Sequence, residues 1–132
     1  MLFGKPESKL YTIMIDESKI NETWERATKV ENFDPSQFRK DACGAWIIRN
    51  HYGLHTSYGW EVDHVYPQSL GGDDNQENLR AMQWENNLSK GADYPSYKVV
   101  IQSEGNKNVR LEGQFTVNET LQEILKKLYN IA

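Results

Sequence analysis

Sulfur and positive charge are both scarce in this chain. One cysteine, Cys43, stands among 132 residues, which excludes an internal disulfide and any paired Cys-x-x-Cys zinc site. With no thiol partner, Cys43 reads as a small buried residue rather than a nucleophile. No stretch approaches the roughly 18 apolar residues of a membrane span, and no charged-then-apolar leader precedes a cleavage site. A soluble, cytoplasmic protein with no membrane partner is expected. Lys and Arg number 15 against 19 Asp and Glu, a net charge of −4. Lys and Arg contacts to phosphate dominate nonspecific nucleic-acid affinity, so such a chain should hold nucleic acid weakly on its own. Repeats, low-complexity tracts and linkers are also missing, and residues 1–132 read as one domain. What the chain does have is aromatic bulk. Four Trp, seven Tyr and four Phe within 38% hydrophobic content suffice for a modest core.

The charge is unevenly spread. Residues 36–59 carry +2 and residues 60–98 carry −4. The basic stretch holds Arg39, Lys40 and Arg49, with His51 and His55 nearby. Those two histidines have the i, i+4 spacing that chelates a metal on a helix. Gly53 and Gly59 argue for a loop, however, and no third soft ligand is near; no zinc is expected. The acidic stretch conflicts less with a phosphate substrate if it surrounds a cation, whose charge offsets part of its own.

Residues 10–15 fit a short strand. The spacing of Ile20, Trp24 and Ala27 predicts a helix over 18–28. Asp34-Pro35, an N-cap followed by a first-turn proline, predicts a short helix to about Lys40. Residues 45–48 fit a strand or a buried turn. Further on, residues 60–65 read as a strand and 66–76 as a loop rich in Pro, Gly and Asp. Residues 79–83 read as a second strand, and 84–90 as a helix closed by Gly91 and later Pro95. A hairpin follows, pairing 97–103 with 108–117. Asn118 then caps a last helix whose Leu121, Ile124, Leu125 and Leu128 form one apolar stripe. Trp46, Trp60 and Trp84 are assigned to the core.

The densest chemistry lies in Glu61-Val62-Asp63-His64-Val65, Gly71-Gly72, Glu77-Asn78-Leu79 and Asn87-Leu88-Ser89-Lys90. One asparagine stands 14 residues past His64 and a second nine beyond that. A carboxylate, an imidazole and an amide oxygen are what a phosphodiester hydrolase needs: a hard-cation site to hold and polarise phosphate, and a base to deprotonate water. Asp63 and His64 point to opposite faces of an extended strand. Both serve one site only if the strand ends there and the chain turns, which Pro67 permits. Asn86 and Asn87 lie about 100° apart on a helix, so only one can serve.

These residues resemble the HNH, or ββα-metal (His-Me finger), endonucleases. That family's pattern runs Asp-His, a Pro-containing loop, often Gly-Gly, then Asn-Leu, then Asn or His followed three residues on by Lys. Asp63-His64, Pro67, Gly71-Gly72, Asn78-Leu79, Asn87 and Lys90 fill every position, at the intervals of the HNH domain in RNA-guided CRISPR nucleases. The 24-residue interval from Asp63 favours Asn87 over Asn86. The match covers about residues 60–91, a quarter of the chain. The flank from Arg39 to Ile47 looks like small stand-alone bacterial and phage members, here without zinc knuckles.

The resemblance implies an α+β fold: a ββα-metal finger with flanking short helices, a C-terminal β-hairpin and a C-terminal helix. It implies Asp63 and Asn87 as ligands of one Mg²⁺ or Mn²⁺ ion, and His64 as general base. Asn78 would brace the loop behind that base, and Lys90 would meet a phosphate. Arg39, Lys40, Arg49 and Arg80 are further candidate phosphate contacts. DNA is the expected substrate in preference to RNA, cleaved to leave a 5′ phosphate. Two alternatives stand beside this: an HNH-fold nucleic-acid binder with little turnover, and a subunit recruited to DNA by a basic protein partner.

Overall fold

The computed structural model describes residues 15–132. Among them lie three α-helices and three two-stranded antiparallel sheets, an α+β arrangement. No helix of these residues is long and apolar enough to cross a membrane. The strand expected over 10–15 falls outside the described residues, Ile15 excepted.

Asp16 starts helix α1 (Glu17–Glu25) by accepting the Lys19 N–H at 3.0 Å, which satisfies one donor that a helix start leaves open. Ile20, Thr23 and Trp24 form its buried face. The helix stops short of the expected 28 because Thr28 leaves it to bridge Lys40.

Residues 34–40 are not the expected helix. Asp34 accepts the Ser36 N–H at 2.9 Å and its hydroxyl at 2.8 Å, which closes a tight turn instead. The chain then extends into β1 (Phe38–Lys40), paired with β2 (Trp46–Ile48). A segment this short cannot hold a helix on its own, so partners elsewhere decide its conformation. Arg39 is the main one. It donates to the Glu25 carbonyl at 3.0 Å, the Ala27 carbonyl at 3.2 Å and the Pro35 carbonyl at 2.8 Å. At 2% exposure it clasps the end of α1 and is not presented to a phosphate. Arg39→Ala should therefore leave enclosed carbonyls unpaired, at a cost of about 2 kcal/mol. The thermal midpoint in circular dichroism should fall by about 5–10 °C; an unchanged midpoint would remove the clasp from the account.

The centre of the fold is a ribbon of β3 (Trp60–His64) and β4 (Leu79–Gln83). Its register sets Trp60 against Gln83, Asp63 against Arg80 and His64 against Leu79. One core packs Trp60, Val62, Leu79 and Ala81 against Ile20 and Trp24 of α1, with Ile47. A second core joins Val65 and Met82 to Cys43, Tyr97, Val99, Val117 and Leu125. Helix α2 (Trp84–Lys90) follows β4 without a loop, its N-terminus capped by Gln83, whose side chain accepts from Glu85 N at 2.8 Å and Asn86 N at 3.0 Å. Gly91, at φ 54°, closes it.

The hairpin β5 (Ser96–Glu104) and β6 (Lys107–Thr116) lies where it was expected, with a bulge between Val99 and Ile101. Asn118 caps α3 (Glu119–Tyr129). In the expected stripe Leu125 is buried and Leu121 and Ile124 are half-buried, but Leu128 is exposed. Tyr129 turns inward in its place, stacking on Tyr66 at 5.3 Å. Trp46 and Trp60 are core. Trp84 is not: it opens α2 at the ribbon's rim, half-buried, and stacks on His55 at 4.1 Å.

Candidate active site

A strand enclosed by two apolar layers would ordinarily be apolar throughout. All five residues of β3 are buried, yet Glu61, Asp63 and His64 are among them. Buried ionisable groups need partners, and here the partners form three groups.

Asp63 faces α2 and β4. Its Oδ1 lies 3.3 Å from Lys90 Nζ and its Oδ2 lies 3.4 Å from Arg80 Nε. Lys90 is 1% exposed and also donates to the His64 carbonyl at 3.2 Å. Arg80 donates to the Tyr97 hydroxyl at 2.9 Å, which lies 3.5 Å from Cys43 Sγ. Burial pulls the Arg80 pKa down, but the Asp63 charge together with Tyr97 and Cys43 more than offsets it, so the guanidinium stays protonated. Burial, followed by the Asp41 charge, pushes the Cys43 thiol up to about 12, so Cys43 is not a nucleophile. Lys90 and Arg80 thus turn inward onto Asp63. The reading of Lys90 as a phosphate contact is corrected: it does stand one turn after Asn87, but its ammonium is enclosed against Asp63 whereas Asn87 is only half-buried.

The second group joins α2 to Glu61. Asn87 Nδ2 donates to Glu61 Oε1 at 2.9 Å, and Glu61 Oε2 lies 4.0 Å from His55 Nε2. Glu61 and Asp63, two apart on a strand, share the face that α2 covers. Asn86 points elsewhere. Its Oδ1 accepts from Val100 N and Ile101 N at 2.9 Å each, and its Nδ2 donates to the Ile101 carbonyl at 2.8 Å. Asn86 therefore stitches α2 to β5, and Asn87 addresses β3. Asn86→Ala should lower stability by about 2 kcal/mol, since it strands buried backbone groups. Asn87→Ala removes one donor to the buried Glu61 carboxylate and should cost about 1 kcal/mol in urea denaturation, less than Asn86→Ala. Equal losses from the two variants would contradict this division.

The third group holds His64, whose Nε2 lies 2.8 Å from Asp74 Oδ1. The loop that carries Asp74 is closed by Asn78. Its Oδ1 accepts from Tyr66 N at 2.7 Å, and its Nδ2 donates to the Tyr66 and Asp73 carbonyls at 3.1 Å each. A Cβ on Gly72 would stand 1.8 Å from the Tyr66 carbonyl oxygen, so the loop folds back on itself where only glycine fits.

The strand β3 does end at His64, and the chain bends at Val65 and Tyr66. Val65 N still bonds the Asn78 carbonyl at 2.8 Å, and the two side chains do not address the same group. Nor do the expected cations gather at the site, apart from Arg80 and Lys90. Lys40 lies over the Trp46 ring, and Arg49 bonds Glu17 and Asn21 of α1. His51 Nδ1 pairs with the Thr56 hydroxyl at 2.7 Å, and His55 stacks on Trp84.

Among the described residues no group of three or more His, Cys, Asp or Glu side chains is placed to hold a metal. The oxygen donors on the face that α2 covers are Glu61, Asp63 and Asn87, of which Glu61 and Asn87 are in direct contact. Asn87 Oδ1 accepts no hydrogen bond among the described residues, its amide nitrogen being the end tied to Glu61. In donor chemistry the set suits a hard divalent cation, with Asp63 already balanced by Lys90 and Arg80. Sequence reasoning missed Glu61 and Asp74 as members of the site. Strand alternation was a usable signal for Glu61. For Asp74 there was none beyond its place in an acidic loop. Against known proteins, the chain matches no family model, no curated protein and no solved structure.

Proposed function

We propose that this chain is a divalent-cation-dependent endonuclease of the HNH, ββα-metal type that hydrolyses phosphodiester bonds in DNA. The observation that carries the reading is the strand–loop–strand–helix unit β3–β4–α2, which buries Glu61, Asp63 and His64 within one strand and turns Asn87 toward it. Ionisable residues buried together on one strand cost free energy that packing alone does not require, which makes this unit the functional-site candidate. Asp63 and Asn87 would hold a Mg²⁺- or Mn²⁺-class ion, with Glu61 orienting the Asn87 amide. When bound, such an ion stabilises the charge that develops on phosphate. His64 would take the proton of the attacking water. The new P–O bond forms as the bond to the 3′ oxygen breaks, leaving a 5′ phosphate. Asn78 would hold the loop behind His64 in shape. Lys90 and Arg80 would balance the Asp63 carboxylate.

The test is incubation of the purified protein with supercoiled plasmid and Mg²⁺ or Mn²⁺. Nicking is expected, and excess chelator should abolish it because all the presumed ligands are oxygens. Undiminished nicking in chelator would sink the cation-dependent reading. The enclosure of Arg39 and Lys90 favours a second arrangement, in which DNA affinity comes from a protein partner. The chain alone would then nick only weakly, with a shallow salt dependence that reflects its few phosphate contacts.

A further inference from the structure

Beyond the residues of the family pattern, the loop between β3 and β4 holds a side chain aimed at the His64 ring. We propose that Asp74 is a positioning residue for His64, fixing both the rotation of the imidazole and which ring nitrogen bears hydrogen. The contact is direct, Nε2 to Oδ1 at 2.8 Å, and His64 is only 8% exposed. A carboxylate can only accept, so the nitrogen facing it carries the hydrogen and the lone pair belongs to Nδ1. A histidine that takes a proton from water needs its basic nitrogen fixed in this way by a third group.

The loop is built to hold Asp74 in place. Its carbonyl accepts from Lys19 Nζ of α1 at 2.9 Å. Its neighbour Asp73 accepts from the Tyr129 hydroxyl of α3 at 2.5 Å, and the Asp73 carbonyl accepts from Asn78. Two helices and a buried asparagine thus pin a short acidic stretch, although Asp74 contributes nothing to either apolar core. An acidic residue kept for solvation alone would need none of this.

The inference deepens the endonuclease reading and rests on it for its consequence in turnover, but not for the pairing itself. The test therefore has two arms, using the full chain with Asp74→Ala, and Asp74→Asn as the variant that best preserves loop shape. Ring-nitrogen NMR of the metal-free protein at pH 8, with His64 assigned by its loss in His64→Ala, should show hydrogen on Nε2 in the wild type. Both variants should lose that preference. In plasmid nicking, Asp74→Ala should lower kcat about 10–100-fold, with KM and the Mg²⁺ requirement unchanged. Adding it to His64→Ala should give no further loss. An unaltered tautomer in both variants, or a kcat deficit that persists in the His64→Ala background, would overturn the assignment. If the wild type nicks nothing, the endonuclease reading falls, and the tautomer arm alone then decides the pairing.

Discussion

His64→Ala is expected to cut plasmid nicking about 10²–10⁴-fold, the usual cost of removing a general base, while the protein stays folded and still binds cation. The expectation follows from how the ring is held. His64 reaches the loop through Asp74, and its own carbonyl, not its ring, accepts from Lys90. Truncation at Cβ therefore leaves both Lys90 contacts in place, because one runs to the His64 backbone carbonyl and the other to the Asp63 carboxylate. Melting by circular dichroism should move little, and Mn²⁺ binding followed by electron paramagnetic resonance should stay near the wild-type level. A variant that nicks at the wild-type rate at pH 7 would remove His64 from the chemistry. One that loses cation binding together with turnover would make the ring a ligand.

Much of the frame of this site was readable along the chain, because short-range rules govern it. The ribbon strands are bounded by glycine and asparagine turns, α2 begins where the strand pattern stops and ends on Gly91, and α3 has its cap in Asn118. The failures share one cause. Whether residues 34–40 coil or extend depends on β2 and on the carbonyls of α1, some 14 residues away through Arg39. Whether Lys90 meets phosphate or Asp63 depends on which layer covers α2, and hairpin β5–β6 supplies that layer from further along the chain. A positive charge in sequence gives no sign of which carboxylate will neutralise it. The same holds for Asp74, which looks like loop filler until the chain folds back at Gly72 and sets it beside His64.

The buried charges also make Asp63→Ala more damaging than a simple ligand loss. Its carboxylate balances Lys90, whose side chain has no exposure, and Arg80, which is little exposed. Removing one member of a buried ion pair typically costs about 3–5 kcal/mol, because the remaining charge is left without compensation. Asp63→Ala should therefore lose stability and nicking together, which confounds any attempt to read it as a cation ligand. The double variant Asp63→Ala with Lys90→Met separates the two effects. With the buried ammonium gone, most of the lost stability should return, since an apolar side chain of similar length suits the enclosed position. Nicking should not return, because the oxygen donor is still missing. Chemical denaturation of the two single variants and the double completes the cycle, and a coupling of at least about 2 kcal/mol is expected between the positions. Additive losses would mean that Lys90 is not held by Asp63. Recovery of nicking with stability would mean that Asp63 serves only to balance charge, leaving Glu61 and Asn87 as the donors to any cation.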